Sequence, residues 1–213
     1  LEHLVLFLSI AVLMITGFPQ KYQLASWSQA ILATPDQVAL VRKIHLVAAG
    51  FLMLEALYHL GVAIYRMAKR KLSSDIFITG KDFRDAAQMI AYLLFLRKEK
   101  PAFGKYNFEQ KVTYWFMFLG IGIMIFSGLI LQFPLAATSF LPGSVIPGAR
   151  LAHSTEAVVL GIFIVLWHFY HVHLERLNLS IFSGHVNEEE MKQYHLKEYE
   201  RLTRQKPNKT GGS

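Results

Sequence analysis

Apolar residues in this chain are gathered into blocks separated by polar, Lys/Arg-bearing or Pro/Gly-marked stretches. Three of these runs, residues 44–64, 112–133 and 151–172, match the length of about 20 residues that a helix needs to cross a bilayer. A fourth, residues 4–18, is shorter and abuts the first residue. No Met and no charged leader precede it, so the expectation is that further residues lie upstream. The pattern predicts an all-α fold, a transmembrane four-helix bundle with spans at about 1–18, 38–66, 108–133 and 149–175. Between the second and third spans, residues 86–96 are apolar but too short to cross. They are bracketed by Lys81, Arg84, Arg97 and Lys98, which fits an amphipathic helix lying in the interface. The loop holding Trp27 and Ile31 suits a shorter helix of that kind. Past residue 184 the chain turns polar and mixed in charge, and its NEEEMKQYHLKEYERL stretch reads as a solvated helix. The organisation expected is a membrane domain over 1–184 and a polar cytoplasmic tail over 185–213. No internal repeat stands out.

Composition sharpens this picture in two ways. There is no cysteine, which removes thiolate metal sites, iron–sulfur ligation and covalent haem attachment from the chain itself. The formal charge of +7 would suggest nucleic acid in a soluble domain, but among membrane spans it reads as topology. Residues 66–105 carry ten Lys or Arg against four acids, whereas the segments 19–37 and 134–148 contain one Lys and no Arg. That bias predicts a multi-pass protein with both termini and the central loop in the cytoplasm, and no nucleic-acid partner is expected.

Nine histidines are sorted by depth in this arrangement. His45 and His153 stand at the outer ends of spans two and four. His3, His59 and the WHFYHVH group, which holds His168, His171 and His173, stand toward the cytoplasm. A step of fourteen residues from His45 to His59 falls about 40° short of four turns and covers roughly 21 Å. The fifteen-residue step from His153 to His168 overshoots by about 60°, so a bulge is needed to restore its phase. His171 returns to the face of His153, and His173 points away from it. Two stacked pairs of histidines inside a helix bundle are what two non-covalent b haems require, one imidazole from each of two helices per iron. Arg42 and Arg150 each precede an outer histidine by three residues, one turn nearer the surface, where haem propionates would emerge. Gly50, Gly61, Gly120, Gly122, Gly128 and Gly161 lie within spans, where they leave room for a flat macrocycle or for helix contacts.

Four stretches carry a family resemblance: EHLVLFLSIAVLMITG (2–17), VRKIH (41–45), GKYNFEQKVTYW (104–115) with SGLIL (127–131), and HSTEA with WHFY in the last span. Through them the chain resembles the di-haem cytochrome b (gamma) subunit of membrane-bound formate dehydrogenases and nickel–iron hydrogenases. The resemblance implies an outer haem on His45 and His153, and an inner haem on His3 and His168. His59, with His168 or His171, is an alternative inner pair. It further implies a menaquinone or ubiquinone site beside the inner haem, contacted by Asn107 with Lys105, Tyr106 and Gln110 around it. A subunit of this kind carries electrons between an iron–sulfur or multihaem cytochrome c partner on the outer face and the quinone pool, within a hetero-oligomeric respiratory oxidoreductase. Two other readings stay open at this point. One is a free-standing transmembrane haem reductase; the other is a haem-free anchor or transporter whose histidines carry protons. Glu55 and Glu156, both inside spans, are expected to be protonated or hydrogen-bonded, and Glu55 could exchange protons with the quinone.

Overall fold

A computed structural model of the chain describes residues 2–69, 74–99, 106–167, 188, 191, 199–201 and 203. The described secondary structure is helical throughout: α1 (Glu2–Lys21), α2 (Ser26–Ile31), α3 (Pro35–Ala68), α4 (Gly80–Leu93), α5 (Phe108–Gln132), α6 (Pro134–Thr138) and α7 (Val145–Ile162), with a single 3₁₀ turn at Ser74–Ile76. Four of these segments, Glu2–Lys21, Pro35–Ala68, Phe108–Gln132 and Val145–Trp167, are long and apolar enough to cross a membrane. Residues form two compact units, Leu1–Leu72 with Met117–Leu177, and Ser73–Phe116 with Asn178–Ser213.

In the first unit, α3 is started by a reciprocal cap. The Gln37 amide donates to Thr34 Oγ1 at 3.3 Å, and the Thr34 amide donates to Gln37 Oε1 at 3.0 Å. Pro35 occupies the first helical position, where a missing N–H costs nothing. At 34 residues the helix is about 51 Å long, well beyond a hydrocarbon core of about 30 Å, so its ends lie outside the apolar layer. The end of α1 absorbs a proline. Pro19 cannot donate, and the local carbonyls are taken up by side chains: Gln20 Nε2 donates to the Thr16 carbonyl at 2.9 Å, and Ser28 Oγ donates to the Pro19 carbonyl at 2.6 Å. Ser28 is fully buried, so α2 is pinned against the end of α1.

Helices α1 and α3 run antiparallel and pack along their length. Thr16 meets His45 at one end, and Glu2 meets His59 at the other. Helices α1 and α7 approach at Gly161, where an added Cβ would lie 2.9 Å from Met14 Cε. At Gly120 an added Cβ would lie 2.6 Å from Leu160 Cδ2 and 2.8 Å from Glu156 Oε1, so this glycine lets α7 close on α5.

The second unit holds α4 and the first part of α5. α5 begins with another reciprocal cap, the Gln110 amide donating to Asn107 Oδ1 at 2.7 Å and the Asn107 amide to Gln110 Oε1 at 3.1 Å. α4 is capped by Asp82, which accepts from the Thr79 amide at 2.7 Å and the Thr79 hydroxyl at 2.8 Å. The same carboxylate binds Lys111 of α5 through both oxygens, at 2.8 and 3.0 Å. Lys111 donates also to the Phe77 carbonyl at 3.2 Å, and Trp115 Nε1 donates to the Ile76 carbonyl at 3.1 Å. Burial alone would raise the Asp82 pKa, but the bonds from Lys111 and Thr79 outweigh it and hold the carboxyl below its ordinary value. At its far end α4 exposes Ile90, Leu93, Leu94, Phe95 and Leu96, an apolar tip suited to the bilayer interface. Phe95 sits at φ 60°, which turns the chain so that the amides of Leu96 and Arg97 both reach the Ala91 carbonyl.

Candidate functional site: the paired histidines of α3 and α7

His45 and His153 come from different helices, and their ring centroids lie 6.3 Å apart with the planes inclined at 70°. Each imidazole is held from a neighbouring helix by the same device. On α1, Thr16 Oγ1 donates to the Val12 carbonyl at 2.7 Å and stands 2.9 Å from His45 Nδ1. On α5, Ser127 Oγ donates to the Ile123 carbonyl at 2.6 Å and stands 3.1 Å from His153 Nδ1. A hydroxyl has one proton to give. With that proton directed at the carbonyl one turn back, the oxygen turns its lone pairs to the imidazole, which must donate from Nδ1. The Met124 carbonyl, 3.1 Å from His153 Nδ1, requires the same, because a carbonyl can only accept. The network therefore assigns the Nδ1–H tautomer to both histidines and leaves each Nε2 with an unshared electron pair. Among the described residues no protein group is bonded to either Nε2.

Glycine makes the approach possible. A Cβ at position 17 would lie 3.3 Å from His45 Cε1, and one at position 128 would lie 3.2 Å from His153 Cε1. Thr16–Gly17 and Ser127–Gly128 are thus matched dipeptides, each giving one hydroxyl and one cleared space to the histidine of the next helix. Thr16, Gly17 and the role of Ser127 are not among the residues that the sequence alone singles out. The signal was a hydroxyl followed by glycine in two of four apolar helices.

The donor set fits a haem. Two neighbouring imidazoles from different helices, each with Nδ1 spent on the polypeptide and Nε2 unbonded among the described residues, are donors that could hold a haem iron. Among the described residues no cluster of three or more His, Asp or Glu side chains could cage a bare ion. Two nitrogens suffice for a metal that brings its remaining ligands in a macrocycle, and the bundle supplies them from two helices.

The other predicted residues are distributed as follows. Arg42 and Arg150 are exposed, one turn before their histidines, and neither makes an ion pair among the described residues. His3 and His59 are half-buried at the opposite end of the α1–α3 pair, where His59 Nδ1 is 3.9 Å from Glu2 Oε2. Glu55 is half-buried on α3, and Glu156 packs over Gly120. Tyr106 and Asn107 precede α5, and Asn107 is only 4% exposed. Gly50, Gly61 and Gly122 face open space, whereas Gly120 and Gly161 serve helix contacts. His168, His171, His173, His185, His195 and Lys105 lie outside the described residues.

Two independent lines converge at this point. No curated protein matches the chain. The family model for prokaryotic cytochrome b561 matches residues 3–184, a stretch that takes in all four spans and both members of the histidine pair. With four helices long and apolar enough to cross a membrane and two neighbouring imidazoles carried by them, the chain belongs to the prokaryotic cytochrome b561 family, membrane proteins that bind haem b and transfer electrons.

Proposed function

We propose that the chain is the membrane-anchoring di-haem cytochrome b subunit of a respiratory oxidoreductase, and that it passes electrons between an outer-face partner and the membrane quinone pool. The observation that carries this reading is the tautomer-fixed pair His45 and His153, with both Nε2 atoms turned over to ligation. A haem b held by this pair supplies one-electron iron redox chemistry. His45 and His153 would hold it, and Arg42 and Arg150 would be available to neutralise its propionates. The Lys/Arg bias of residues 66–105 supports placing this pair near the outer face, within reach of an iron–sulfur or cytochrome c partner.

The second site lies at the cytoplasmic end, about 21 Å along α3 from His45. His3 and His168 are the first choice as its ligands; His59 with His168 or His171 is the second. Residues 163–167, the last described part of this span, form a π-turn, and His168 lies just beyond the described residues.

Asn107 is the proposed contact for the quinone head group, with Tyr106 and Lys105 beside it. Its Oδ1 is committed to the α5 cap, but among the described residues its Nδ2 has no hydrogen-bond partner although the residue is 4% exposed. A buried amide donor left over in this way calls for an acceptor, and a quinone carbonyl is one. Glu55, half-buried within a span, is the candidate proton carrier for quinone reduction.

Pyridine haemochrome assay of the purified protein tests the reading. Two haems b per chain, falling to about one in His45→Ala, are expected. A parent without haem would leave a histidine-bearing anchor or transporter. Asn107→Asp, which keeps the cap acceptor but removes the amide donor, should lower quinol-dependent haem reduction at unchanged haem content. Equal loss of both would refute the quinone contact.

A further inference from the structure

Resting on the haem reading of His45 and His153, we infer that Thr16 and Ser127 are matched positioning residues that fix the tautomer of these ligands and tune the potential of the iron they hold. Both hydroxyls are more than nine-tenths buried, at 7% and 5% exposure, in helices whose other positions are almost all apolar. Serine and threonine in such helices commonly do no more than bond the carbonyl one turn back. These two do that and also reach across to an imidazole on the next helix, with the same atoms in the same order.

The backbone bond is part of the device. Having given its proton to the carbonyl of Val12 or Ile123, each oxygen is available to His Nδ1 only as an acceptor. A ligand histidine that donates its second N–H becomes a stronger base toward the metal, which favours the ferric state and lowers the midpoint potential. Two such acceptors, one behind each ligand, act in the same direction. The Met124 carbonyl holds the His153 ring's orientation in parallel, so removing the Ser127 hydroxyl weakens the device there without abolishing it.

The test is a redox titration of the haem-loaded membrane protein, with low-temperature EPR of the ferric haem, on Thr16→Val, Ser127→Ala and the double variant. Haem is retained, the outer haem's potential rises in each single variant, and it rises further in the double. The low-spin ferric EPR signal shifts with it. Thr16→Ser and Ser127→Thr, which keep the hydroxyl, hold the parent potential. Bound haem with unchanged potential and EPR signal in the double variant would overturn the inference, leaving the haem reading standing. Should Thr16→Val lose its haem, recovery in Thr16→Ser supports the hydroxyl's role, and failure to recover assigns the position to packing and overturns it. Failure of the haem reading itself looks different: His45→Ala would keep every haem of the parent.

Discussion

Two polar clusters sit on these apolar helices, and they differ in what they leave unused. Around Lys111 everything is consumed: the ammonium gives bonds to both Asp82 oxygens and the Phe77 carbonyl, and Asp82 accepts from Thr79 as well. Lysine has three protons, and three acceptors take them. Around His45 and His153 one atom on each ring is left over: His45 Nδ1 is bonded to Thr16 and His153 Nδ1 to Ser127 and Met124, while neither Nε2 is bonded among the described residues. A closed cluster fastens chain to chain. An open one, supported this heavily, is prepared for something the polypeptide does not supply. The comparison also explains the GKYNFEQKVTYW stretch, where Asn107, Gln110, Lys111 and Trp115 all have fastening duties. Among the described residues the side-chain amide nitrogens of Asn107 and Gln110 are left over, and that of Asn107 is the buried one.

Substitutions should separate the open cluster from the closed one. The largest effect is expected in His153→Ala, which should lose one haem b per chain in the pyridine haemochrome assay while the protein still inserts and purifies. Full haem content would mean that the pair is not a ligand pair. Next, Lys111→Met strands a buried carboxylate, and breaking such a pair costs about 3–5 kcal/mol. A marked drop in thermal stability is expected with the haem spectrum unchanged, and Asp82→Leu in the same chain should recover most of it. No loss in the single variant would show that the cluster is not a fastening.

A smaller effect is expected at the glycines. Gly128→Ala places a methyl 3.2 Å from His153 Cε1, so the ring must give by a few tenths of an ångström. Weaker haem retention on dilution is expected, and Gly122→Ala, with open space around it, is the control that should change nothing. The mildest test is pH. Asp82 has a lowered pKa in the fold, so its contribution is present above the unfolded value near 3.9 and is lost as pH falls through the lower folded value. Acid titration should therefore loosen the α4–α5 attachment in the parent, read as faster proteolysis within α4. Asp82→Asn should abolish that dependence.

Much of this was legible in the chain. The apolar runs predicted all four membrane helices because a bilayer demands about 20 apolar residues and internal backbone bonding, a constraint that acts locally. The histidine positions and the RxxH spacing singled out His45 and His153, since ionisable groups are expensive within a span. Thr16, Gly17 and the role of Ser127 were not legible, because a hydroxyl or a glycine in an apolar helix is ordinary until its neighbour on the next helix is known. The fastening by Lys111 was hidden for the same reason: its partner Asp82 is 29 positions away and belongs to another helix.

The sequence by itself determined the four apolar runs, the spacing of the histidines along them and the absence of cysteine, all of which follow from residue type and position along the chain. The tertiary structure decided which imidazoles face each other, which nitrogen of each is spent, and which polar groups merely fasten. Those depend on the lateral contact of helices, where a few tenths of an ångström at a glycine and the direction of one hydroxyl proton separate a ligand from a filler.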